Sequence, residues 1–145
     1  MRLWKTMLTT AVLAFVPVIA SAQYKDLDTA MSSLTRGFAS GDTQAIVSGI
    51  ASGDQVMLEF PGIVDQHGFF GRDQATYLID GVFNKVKPSG FEQRSARKVS
   101  AEGQYHITAA WTIQNGGKAE VRDLYITLKN KGDGWAVVSV RSASK

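Results

Sequence analysis

Beyond Pro88-Ser89-Gly90 the chain changes from helix-like to strand-like segments, and that change constrains the fold more than any other feature. Before it, Leu27, Ala30, Met31, Leu34 and Phe38 recur at helical spacing within Tyr24–Phe38. Asp26 and Asp28 stand in the first turn of that segment, where the helix dipole favours a carboxylate. Gly41-Asp42 ends it and caps a short second helix over Thr43–Ile50. Gln55–Phe60 alternates, with Val56, Leu58 and Phe60 on one face, which is strand behaviour. Gly71–Val86 is a third helix. Four strand-like segments follow: Phe91–Ser100, Tyr105–Gln114, Lys118–Lys129 and Trp135–Arg141. Between them lie Ala101-Glu102-Gly103, the hairpin signal Asn115-Gly116-Gly117, and Lys131-Gly132-Asp133-Gly134. Helices followed by a meander of strands predict an α+β domain, with helices packed on one face of an antiparallel sheet.

The first 22 residues read as a signal peptide. Arg2 and Lys5 precede a mostly apolar run from Met7 to Ile19, and Ala20-Ser21-Ala22 supplies small residues for cleavage. That run is too short to span a bilayer core of ~30 Å as a helix. Cleavage near Ala22 leaves residues 23–145 as a single domain with no transmembrane segment, placed in the periplasm or outside the cell. The chain contains no cysteine, so an export compartment brings no disulfide, and the domain must stand on its core. Loss of Arg2 and Lys5 from 16 basic residues leaves fourteen against 13 acidic ones. That balance argues against a nucleic-acid partner, which wants a clear positive excess.

Four groups of side chains could carry chemistry. In "HGFFGRDQATYLIDGVF", Arg72, Asp73, Tyr77 and Asp80 look like an acid–base set, but the helical wheel puts Asp73, Tyr77, Asp80 and Asn84 opposite the apolar stripe. A solvated face is therefore the expectation. In the hairpin, His106, Asp123 and Tyr125 share one sheet face under either loop placement, 115–116 or 116–117. They are the weak catalytic candidates, and the more apolar opposite face is the better core. Asp65 and His67 are two metal-type ligands in a loop, too few to make a site, so neither a metal nor a cofactor is expected. Lys85, Lys87, Arg94, Arg97 and Lys98 form a basic run, read either as a patch for an anionic partner or as a solvated edge strand. The phosphate-loop, dinucleotide-binding, nucleophile-elbow and zinc-protease signatures are absent from the sequence.

The helix "GRDQATYLIDGVFNKV", the corner "KPSGF", the strand "QYHITAAWTI" with its "NGG" turn, "VRDLYITLKNKGDGW" and the closing "VVSVR" resemble the nuclear transport factor two-like (cystatin-like) superfamily. Within it they are most similar to small exported bacterial domains of unknown function. The resemblance implies a curved sheet, a cone-shaped space between sheet and helices, and homodimers through the sheet. Some members of the superfamily are acid–base enzymes, yet no position here matches their catalytic sets residue by residue. Phe60, Phe83, Ile107 and Trp111 suggest an apolar interior, and would line the place of a small apolar ligand. The reading is thus a non-enzymatic binding or assembly domain. Its alternatives are a small cone-fold enzyme acting through His106, Asp123 and Tyr125, and an envelope-surface protein held by its basic segment.

Overall fold

A computed structural model describes residues 23–99 and 103–143. The predicted signal peptide and residues 100–102 lie outside the described residues. The element order is α1 (Leu27–Ser40), α2 (Thr43–Val47), β1 (Val56–Glu59), β2 (Gly68–Phe70), α3 (Arg72–Lys85), β3 (Val86–Val99), β4 (Gln104–Asn115), β5 (Lys118–Asn130) and β6 (Trp135–Ser142). One six-stranded sheet runs β2-β1-β6-β5-β4-β3. The helices lie on one side of this curved sheet.

Each helix end has a local cause. Asp26 is the N-cap of α1, and its carboxylate accepts from the Thr29 N–H at 2.7 Å. That backbone bond, followed by the Thr29 hydroxyl, holds the Asp26 carboxyl below its ordinary range. Gly41 closes α1 at φ 76, a left-handed turn that suits glycine, and its N–H reaches the Gly37 carbonyl. Asp42 then caps α2 through the Ala45 N–H. Pro88 cannot continue α3 and pushes Lys87 out of helical geometry. The chain therefore passes from Lys85 into Val86, the first residue of β3, with no connecting loop.

Three expectations need correction. Pro88-Ser89-Gly90 lies within β3, where a register shift between Pro88 and Gly90 marks a bulge on an edge strand. Edges and bulges tolerate a residue without an N–H. Gly68–Phe70, to which the sequence pattern assigns no element, forms β2 and pairs antiparallel with β1. The sheet is mixed: β1 joins β6 in parallel, with Leu58 opposite Val140. The remaining pairings are antiparallel.

The β4–β5 turn takes the second of the two placements considered. Asn115 pairs with Lys118, and Gly116 and Gly117 carry φ 61 and 83, the two positive angles of a tight hairpin. This register sends Ile107, Ala109, Trp111 and Ile113 to the helices' side with Leu124, Ile126 and Leu128, all buried. Alternation sends His106, Thr108, Asp123 and Tyr125 to the other side. Leu34 and Phe38 of α1, Ile46 of α2 and Leu78, Ile79 and Val82 of α3 close the core over them.

Candidate functional site

The interior is organised by Trp111. Its ring is fully buried and meets Phe38, Phe60 and Phe83 edge-on, with centroids at 5.8, 6.2 and 6.5 Å. Phe38 also stacks on Phe91 at 5.9 Å. The indole Nε1–H donates to the Phe38 carbonyl at 2.9 Å. That carbonyl belongs to the last turn of α1, where no intrahelical donor remains, so a core side chain completes the helix end. The structure thus brings Phe60, Phe83 and Trp111 together, with Ile107 four residues away on the same strand face. It does so as side chains packed against one another at aromatic contact distances.

Beside this cluster sits a charged pair that the sequence reading did not single out. Arg122 faces Trp111 across the ladder and is only 7% exposed. Its Nε donates to Glu120 at 2.6 Å, and its Nη1 donates to the Pro61 carbonyl. Asn115 Nδ2 reaches the other Glu120 oxygen at 3.5 Å. The signal was present: residues 120 and 122 keep step with Leu124, Ile126 and Leu128, so alternation sends them inward. A buried cation needs such partners, and here they tie β5 to the loop after β1.

The hairpin candidates lie on the outward face. His106 pairs with Thr127, Thr108 with Tyr125, and Ala110 with Asp123. His106 and Asp123 are therefore four residues apart along the ladder, roughly 13 Å at the strand rise. That exceeds hydrogen-bond reach for a proton relay. His106 Nε2 instead contacts Gln104 Oε1 at 3.3 Å. Along this face Arg97 and Lys129 lie toward one end, Tyr125 and Thr108 in the middle, and Glu92 and Asp123 toward the other. Arg141 and Glu59 add an ion pair at 3.1 Å in the Tyr125 row. Tyr125 is 47% and Val121 50% exposed.

The basic run is dispersed. Lys85 closes α3 and Lys87 begins β3. Arg94 occupies the bulge between Gln93 and Ser95. Arg97 pairs with His106 on the outward face, whereas Lys98 pairs with Tyr105 on the opposite one. All five are exposed, and β3 is a sheet edge.

On α3, Asp73, Tyr77, Asp80 and Asn84 are exposed, as the wheel predicts, and Tyr77 reaches 83%. Two neighbours have structural tasks that the wheel does not show. The Thr43 hydroxyl donates to Asp80 Oδ1 at 2.5 Å, joining α2 to α3. Arg72 is half-buried and donates through Nη2 to the Ile50 carbonyl at 2.5 Å. In the loop, the His67 ring meets the Asp65 carbonyl through Nδ1 at 3.2 Å. A cleft of about 860 Å³ runs along the flank of α3, bounded by Val64, Gln66 and Phe70 on its far side.

No protein-family model matches the chain, and no curated protein does. Solved structures do. A DUF4783 family protein from Bacteroides ovatus superposes with a TM-score of 0.61 at 18% identity, covering 79% of this chain and 96% of that one. A DUF4783 family protein from Bacteroides uniformis gives 0.63 at 13% identity, over 79% and 95%. A ketosteroid isomerase-like protein from Erwinia carotovora atroseptica gives 0.57 at 18% identity, over 81% and 93%. These likenesses establish the fold alone: it is that of the ketosteroid isomerase-like, or nuclear transport factor two-like, proteins.

Proposed function

We propose that this chain is an exported, non-enzymatic assembly domain that pairs with a second copy through the outward face of its sheet. The observation that supports it is the charge order on that face. A two-fold axis across the strands, along the Thr108–Tyr125 row, turns each sheet end for end. Arg97 of one copy then lies over Glu92 of the other, Lys129 comes near Asp123, and Tyr125 meets its own counterpart. A two-fold contact demands such self-complementarity. Tyrosine at its centre supplies the apolar anchor, while charges at the ends set register.

The acid–base alternative needs His106, Asp123 and Tyr125 gathered in an enclosed site, and they stand in rows on an open face. The segment preceding Gln23 has the composition of an export signal. Among the described residues no helix is long and apolar enough to cross a membrane.

Mass spectrometry of the full chain made in an exporting host addresses both parts. The covalent mass should correspond to residues 23–145, and the native mass to twice that. Tyr125→Glu should raise the dimer dissociation constant on the order of 30-fold, as for a central anchor residue. Its thermal transition should stay cooperative, because the side chain lies outside the core. A wild-type monomer at tens of micromolar would sink the pairing, and an unprocessed N-terminus would sink the export.

A further inference from the structure

The cleft beside α3 lies on the helices' side of the sheet, so it is independent of the pairing face. Its floor is apolar: Leu78 and Val64 are nearly buried, and Phe70 packs against the core. Its rim carries Asp73, Tyr77 and Asp80, spaced by four and three residues on α3, which places them on one helix face. A largely exposed tyrosine therefore stands between two carboxylates. Asp80 is held in place by the Thr43 hydroxyl, and its second oxygen takes no part in that bond. Lys85 enters the lining at the far end, five residues beyond Asp80.

We infer that this cleft binds a small organic cation with an apolar body. The argument is one of complementarity. An aromatic face attracts a cation within about 6 Å of its centre. Carboxylates on either side add the matching charge, and the Val64–Leu78–Phe70 floor takes the hydrocarbon part. An anionic ligand meets Asp73 and Asp80 unfavourably, and a purely apolar one leaves both carboxylates without use. The volume falls in the range of small-molecule sites, roughly 300–1,000 Å³. The cation lies beside Tyr77 and its chain runs over Leu78.

The test uses octylamine, octanoate and octanol below their aggregation concentrations, titrated into the intact domain and followed by amide chemical shifts. Octylammonium should shift residues of α3 and the 64–70 segment, with octanoate and octanol leaving them unmoved. Tyr77→Leu should weaken octylammonium binding about two- to five-fold, the exposed cation–π range. Asp73→Asn should weaken it further at low salt than at high salt, because exposed charges are screened. Asp73 has no role in the core, so this variant keeps the fold. Equal binding of amine and carboxylate, shifts confined to another surface, or undiminished affinity in both variants overturns the inference. So does binding of a lysine-rich peptide without binding of octylamine.

Discussion

Tyr24 joins three distant parts of the chain. Its backbone pairs with Trp135 in both directions, at 2.8 and 2.7 Å. Its buried hydroxyl donates toward the Ala45 and Ile46 carbonyls of α2 at 2.9 and 3.2 Å. Burial pushes the phenol well above its ordinary value, with Arg36 opposing weakly. The folded phenol holds its proton where an unfolded tyrosine, near pH 10, would lose it. Its contribution is therefore fully present below about pH 10 and lost as the pH climbs toward the folded value. Tyr24→Phe should cost about 1 kcal/mol at neutral pH, since one buried hydrogen bond is lost while the Ala45 and Ile46 carbonyls keep the Ser48 hydroxyl and the Gly49 N–H. The same variant should lose less stability between pH 10 and 12 than the wild type. Urea unfolding across that range measures both. The sequence offers no local sign of this role, because Tyr24 looks like the first residue of a helix and its partners lie far along the chain. Arg122 differs: its inward parity was readable, but the charge spoke for the surface.

Close approach between elements decides the next scale. Gly37 lies in the interior of α1, where alanine would ordinarily gain roughly 0.5–1 kcal/mol. Here an added Cβ would fall well inside 3.0 Å of the buried Ile46 side chain. Overpacking costs about 1–3 kcal/mol and outweighs the helix gain. Gly37→Ala should therefore lower the urea midpoint, and lower it less in an Ile46→Ala background, because Ile46 Cγ1 is the atom the new methyl meets. Long elements were legible in the sequence because periodicity accumulates over many residues: α1, α3 and strands β4 to β6 fall where the pattern puts them. The short α2 and β1 also fall inside their predicted spans, but two other features did not register. β2 has three residues, too few for any period to register. Pro88 ends α3 as expected, yet sits inside β3, because an edge strand tolerates what a central strand rejects. The hairpin faces followed from the Asn115-Gly116-Gly117 turn, which is why the positions of His106, Asp123 and Tyr125 could be anticipated.

At the scale of the molecule the last strand completes the rest. β6 is inserted between β5 and β1, so the first half of the chain joins the sheet through the final strand. Met57, Leu58 and Glu59 pair with Ser139, Val140 and Arg141, and β2 is attached only beyond β1. Trp135 holds Tyr24, and the Val137 N–H donates to the Gly49 carbonyl at 2.7 Å. The β3–β4–β5 meander is local in sequence and needs none of these contacts. The β1–β6 pairing closes about 80 residues of chain and must await the C-terminus, a cost that slows folding. Without β6, Met57, Leu58 and Glu59 lose their parallel partners, and Tyr24 loses the backbone pairing with Trp135. A chain ending at Gly134 should keep strand signal in the far ultraviolet while losing near-ultraviolet signal and a cooperative thermal transition. Limited proteolysis should then cut between Gln55 and Phe70 while the β3–β5 meander resists longer. A sharp transition close to that of the full domain would show that α1–β2 packs on the meander unaided. In that case the parallel β1–β6 join would be a consequence of the fold and not the step that completes it.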